Sequence, residues 1–113
     1  MTAATAEATT LHRNEVYLVG AVSSAPEERT LSDGRGAVTF RLEVRADTDA
    51  GATRDSIDIT LIGTRARKSA LGWGVGDVVE VEGVVRRKFY KVGAMSKPFT
   101  VIEAERAKRL RRG

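Results

Sequence analysis

Three cations and two aromatic rings stand in a row at Arg86, Arg87, Lys88, Phe89 and Tyr90. Cations neutralise phosphates, and flat rings stack on unpaired bases. Side by side, the two residue types suit a polyanion whose bases are free to stack, which is single-stranded nucleic acid. Lys91 extends the row, and Lys97 follows across a turn signalled by Gly93. Arg41 and Arg45 offer two further cations on the polar side of an alternating stretch. They are expected at about the spacing of successive phosphates. Trp73, the only tryptophan, could stack on a base or cap a core, and an apolar cap is the commoner use of a buried ring.

The run that positions this row is Asp77 to Tyr90, DVVEVEGVVRRKFY. Val79, Val81 and Val85 fall on one face and Glu80 and Glu82 on the other, the two-residue period of a strand. Gly83 interrupts it, as at a bulge or a sharp bend. Asn14 to Val22, NEVYLVGAV, is apolar on both faces and reads as a strand that is either central or covered on both sides, a second subunit being one such cover, with Gly20 as a second bend. Ser23 to Gly36 is a connection with turn signals at Pro26 and Asp33-Gly34, fitting a hairpin with a loose tip. Ala37 to Ala46 alternates most cleanly, with Val38, Phe40, Leu42 and Val44 opposite Thr39, Arg41, Glu43 and Arg45. Asp47 to Asp55 reads as a polar loop, but it lacks the glycine and glutamate positions of a calcium-binding EF-hand loop. Ser56 to Ile62 is a further strand, and Thr64 to Leu71 a short helix. The glycines of GWGVGD have the wrong spacing for a dinucleotide fingerprint and mark a tight lead into the next strand. Pro98 to Glu105 is the last strand.

Five short strands and one helix between the third and fourth predict an all-β fold, a five-stranded barrel of the oligonucleotide/oligosaccharide-binding (OB) type. With 113 residues the chain makes one domain with a real core. The expected organisation is a tail over 1–13, the barrel over 14–105 and a basic tail over 106–113. Net charge is +4, but residues 86–113 hold ten Lys or Arg against two Glu. A basic end on a mildly acidic body points to a polyanionic partner.

Several function classes drop out. There is no cysteine, which removes disulfides, thiolate metal sites and thiol nucleophiles. The only histidine, His12, stands in the expected tail, so no base is placed beside a nucleophile and no enzyme is expected. No cofactor or metal is expected either. No apolar run approaches the roughly 18 residues that span a membrane, and MTAATAEATT has no basic region or apolar block of a secretory signal. A cytoplasmic, nucleoid-associated protein is the expectation.

In order along the chain, these motifs resemble the bacterial single-stranded DNA-binding protein family. Asn14 to Gly20 resembles the family's Asn-x-Val-x-Leu-x-Gly. Pro26, Glu27 and Arg29 resemble its Asp-Pro-Glu-x-Arg turn, with Ala25 in place of the aspartate. Gly36 to Leu42 resembles its second strand and Leu61 to Gly63 the end of its third. Gly76-Asp77, then Val81 to Gly83, then Arg87 to Phe89 follow its Gly-Asp-x-Val-x-Val-x-Gly and its basic-aromatic continuation. The resemblance covers roughly residues 14–105. It implies an OB fold, a homotetramer or dimer, and binding of single-stranded DNA in replication, repair and recombination. By position, Phe89 matches one stacking aromatic, with Arg87 and Lys88 beside it. Ile62 and Ser56 stand where the family commonly has rings. The family's acidic, phenylalanine-ended tip is not matched by Arg111, Arg112 and Gly113, so a short paralogue is expected, one able to mix with a full-length homologue. RNA stays open as a partner, because stacking and phosphate contacts do not by themselves separate RNA from DNA. A protein-interaction or primosome-like accessory role on the same fold is the alternative.

Overall fold

The alternation of Val38, Phe40 and Leu42 with Thr39, Arg41 and Glu43 does what a two-residue period dictates. Val38, Phe40 and Leu42 are buried, whereas Arg41 is exposed. A computed structural model describes residues 11–113 of the chain; most of the tail expected over 1–13 lies outside the described residues. The elements are β1 (Val16–Val22), β2 (Glu27–Thr30), β3 (Gly36–Thr48), β4 (Gly51–Leu61), helix α1 (Thr64–Ala70), β5 (Val78–Val92) and β6 (Met95–Arg111).

The strands lie in the order β1-β5-β6-β4-β3-β2, and a second pairing of β1 with β3 closes five of them into a barrel. All neighbours are antiparallel except β4 and β6. This is the expected five-stranded OB barrel, with its helix between the third and fourth barrel strands. The short β2 was not anticipated; it hangs on β3 and forms the predicted hairpin, turned at Gly34 with φ 89°.

Two glycines make closure possible. A Cβ at Gly20 would collide with the Glu43 carbonyl of β3, and one at Gly83 with the Glu103 carbonyl of β6. Gly83 also sits at a register shift between β5 and β6, the bulge its position in the strand foretold. The core inside is Val22, Val38, Phe40, Leu42, Ile59, Leu61, Val79, Val81 and Ile102, with Ala66 and Ala70 of α1 lying over it. Trp73 is buried there, edge-on to Phe40 with ring centroids 5.9 Å apart.

Two sequence expectations change. Of residues 47–55, all but the Asp49-Ala50 turn are strand rather than loop, because β3 and β4 continue in register up to Thr48↔Gly51. Their polar composition reflects an arm projecting into solvent, where neither face is buried. Residues 106–111 are strand rather than tail. Val79 pairs with Arg109 and Val81 with Ala107, and Arg106 bonds Glu82 at 2.9 Å. Among the described residues nothing covers the outer face of β1, where Tyr17 and Val19 are exposed.

The GWGVGD turn and the last residues are tied by one buried acid. Asp77 accepts hydrogen bonds from the Gly113 and Gly74 backbone N–H groups, at 2.9 and 3.0 Å, and from Arg109 at 3.3 Å. Those bonds, from Gly113 first and Gly74 next, hold its carboxyl below the ordinary aspartate range.

The radius of gyration is 16.0 Å, against about 13 Å for a compact domain of this length. The excess is the two hairpin arms, β3–β4 and β5–β6, which reach beyond the barrel.

Candidate nucleic-acid interface

Strand parity decides which of the predicted residues can act together. In the β5–β6 arm Arg86 pairs with Val101, Lys88 with Phe99 and Tyr90 with Lys97, so all six share one face. Arg87, Phe89 and Lys91 pair with Thr100, Pro98 and Ser96 on the opposite face. The cation-aromatic row is therefore split in two. A neighbour in sequence along a strand is never a neighbour on its face.

The first set looks onto the outer face of β3 and β4. Phe99 and Val101 line a cleft of about 420 Å³ with Thr39, Arg41, Asp58 and Thr60. Tyr90 and Phe99 lie against each other with centroids 5.7 Å apart, tilted 60°. They are 49% and 38% exposed, so each keeps a ring face available. Lys88 and Arg86 rise from β5, and Lys97 has no ion-pair partner among the described residues.

The arginines of β3 carry less free charge than their number implies. Arg41 pairs with Asp58 at 3.3 Å. Glu43 lies between Arg41 and Arg45 and is 2.8 Å from Arg45 and 3.3 Å from Arg54 of β4. The bond from Arg45, and then the charges of Arg45 and Arg54, hold the Glu43 carboxyl below its ordinary range. At about 3.4 Å per residue, Arg41 and Arg45 are about 14 Å apart. They are not on successive phosphate spacings, as the sequence reading had them.

On the opposite face the Arg87 guanidinium lies 5.9 Å from the Phe89 ring centroid, a cation–π contact. Phe89 is 62% exposed. Trp73, expected as a possible stacking ring, is a core cap closed off by Phe40 and is not available to a base.

Sequence reasoning passed over Phe99, Arg35 and Glu103. Phe99 could have been found: counting back across the hairpin tip at Gly93 places it opposite Lys88. Arg35 and Glu103 meet only through the barrel, 3.7 Å apart, and no local pattern announces that contact.

Comparison with known proteins agrees with this architecture. The model of the "Single-strand binding protein family" matches residues 13–109. No curated protein matches the chain. Among solved structures, a Plasmodium falciparum SSB in complex with ssDNA superposes with a TM-score of 0.75 at 19% identity, covering 88% of this chain and 96% of that one. A small single-stranded DNA-binding protein from Streptomyces coelicolor superposes with a TM-score of 0.62 at 23% identity, covering 87% and 95%. At these identities the two likenesses speak for the fold.

Proposed function

The chain belongs to the single-strand binding protein family, and from that premise we propose that it binds single-stranded DNA in the cleft between the β3–β4 sheet and the β5–β6 arm. The observation that carries this is the shared face of Tyr90, Phe99, Arg86, Lys88 and Lys97, whose Phe99, with the adjoining Val101, lines one cleft with Arg41. Tyr90 and Phe99 take the bases, at about 1–3 kcal/mol for each base stacked. Lys88, Lys97, Arg86 and Arg41 take the phosphates. Rings and cations read no base edges, so binding tolerates any sequence. Nothing in this arrangement requires bond-making chemistry; the protein holds its strand and does not act on it.

Arg87, Phe89 and Lys91 form a second strip on the back of the arm, where a longer strand would continue after passing the hairpin tip. Arg45 extends the first strip along the β3–β4 arm. The work of such a protein is protection of exposed strands in replication, repair or recombination, beside the nucleoid in the cytoplasm.

Self-association is part of the proposal. Along one edge β1 pairs with β5 over Val16 to Ala21, whereas its other edge pairs with β3 only at Ala21 and Val22. The free edge and the exposed Tyr17 and Val19 suit a second copy, or a longer homologue that mixes with it. Sedimentation at micromolar concentration measures the assembly directly, and a monomer throughout would remove this part.

Fluorescence anisotropy with labelled oligo-dT tests the binding. Four phosphates fully neutralised on a single strand would give a log–log salt slope near −3, and the acids that share Arg41, Arg86 and Lys88 make the expected slope shallower than that. Matched duplex is expected to compete poorly, and an RNA competitor measures how far the site separates the two polymers. No binding at low salt would overturn the reading in favour of a protein-interaction module.

A further inference from the structure

The outer face of β6 carries an acid where a polyanion site would not be expected to have one. Glu103 is 6% exposed and sits between Thr60 of β4 and Val84 of β5 on the face that bears the cleft. Three cations from two separate parts of the fold converge on it. Lys88 Nζ is 3.1 Å from Oε2, Arg86 Nη1 is 3.5 Å from Oε1, and Arg35 Nη2 is 3.7 Å from Oε2. Arg86 and Lys88 come from β5. Arg35 reaches over from the β2–β3 turn, where it also bonds Asp33 at 2.7 Å. Despite these charges, Oε2 accepts no well-aligned hydrogen bond from the described residues.

A buried carboxylate is costly unless it is paired, and these cations are what pair it. Carboxylate and phosphate present the same thing to a guanidinium or an ammonium: anionic oxygens that accept charge-assisted bonds. The side chains of Arg86 and Arg35 are 51% and 45% exposed. They can lean towards a strand in the cleft, but only by loosening their hold on Glu103.

We propose that Glu103 is an internal competitor for the nucleic-acid phosphate, an affinity-setting residue that holds back part of the charge of Arg35, Arg86 and Lys88. The inference rests on the cleft being the single-strand site. The acid keeps three cations gathered at one place while no strand is bound. It also prevents them from acting as three full charges once a strand arrives. Binding is then weaker and less salt-dependent than the cation count implies, and a bound strand is released more readily.

The test is Glu103→Gln, which keeps the shape and removes the charge. Titrated with oligo-dT over a salt series, the variant is expected to bind about tenfold tighter, with a slope steeper by about 0.7, one more fully acting cation on a single strand. An acid with a structural role alone would leave the slope where it was, and a folded variant that binds no tighter overturns the proposal. Without the acid the three cations repel one another, so a second pair of variants leaves Glu103 in place. Lys97→Gln removes a cation with no ion-pair partner among the described residues and is expected to lower the slope by about 0.7. Lys88→Gln removes a paired one and is expected to lower it by less than half as much; equal losses would overturn the proposal even if Glu103→Gln did not fold. If the unaltered protein binds no oligo-dT at low salt, the cleft reading falls and this one with it. If it binds but these variants behave alike, only the competitor role falls.

Discussion

At the scale of single residues, parity separates rings that the sequence presents side by side. Phe89 and Tyr90 are adjacent in the chain, yet only Tyr90 meets Phe99 over the cleft. Losing a stacking ring costs about 1–3 kcal/mol, which is about 5-fold to 100-fold in affinity. Tyr90→Ala and Phe99→Ala are each expected to weaken oligo-dT binding within that range, measured by anisotropy on a short oligomer that fills one cleft. Phe89→Ala is expected to change it by less than either, because its ring lies on the back of the arm. Equal losses from all three would show that the strand covers both faces. Asp77 gives a different residue-scale expectation. Its carboxyl is held below the ordinary aspartate range by the Gly113 and Gly74 N–H groups and by Arg109. A group with a lowered folded pKa stabilises fully above its unfolded value, about 3.9, and loses that contribution as pH falls through the folded value. The melting temperature of the protein should therefore exceed that of Asp77→Asn most clearly near neutral pH. The gap should narrow as pH drops below about 4; a gap that is constant with pH would mean that Asp77 acts by shape alone.

Elements were legible in the sequence wherever one face had a core to meet. Val38, Phe40 and Leu42 announced β3, and Ile59 and Leu61 the inner half of β4, because alternation is the trace that one-sided burial leaves. Where the same strands run out into the arms, both faces are wet and the trace vanishes. Residues 47–55 therefore read as loop although all but the Asp49-Ala50 turn continue the ladder. The end of the last strand, residues 106–111, hid for another reason: Arg106 and Lys108 point outwards beside Glu82 and Glu80, and their charge masked the half-buried Ala107 between them. Gly83 was read correctly as a break, but its consequence was not. The bulge shifts β5 against β6, so the partners of the cation-aromatic row cannot be counted from the start of the strand. The prediction belonging to this scale is Gly83→Ala. The added methyl would strike the Glu103 carbonyl and the Ala104 backbone, and overpacking of this kind costs about 1–3 kcal/mol. Denaturant unfolding measures it. Because the collision is with the strand that carries the cleft-lining Phe99 and Val101, binding is expected to weaken as well. A variant as stable as the parent would show that the two strands need no such close approach.

At the scale of the whole molecule, the barrel has two unlike outer faces. One holds the cleft, with its rings, its cations and the buried Glu103. The other is the β1–β5–β6 surface, where Tyr17 Oη donates to Glu80 at 2.9 Å and Arg106 pairs with Glu82, so both of these acids on β5 have partners within the chain. The first face has cations to spare for a polyanion. The second sets Arg106 and Lys108 beside Glu82 and Glu80, and among the described residues one edge of β1 pairs only at Ala21 and Val22. Amide chemical-shift mapping of the labelled protein with a short oligo-dT separates the two in one experiment. The account predicts shifts gathered at Arg41, Thr60, Lys88, Tyr90, Lys97 and Phe99, with Tyr17, Val19 and Glu80 still. Shifts centred on those last three, with the cleft unmoved, would contradict it.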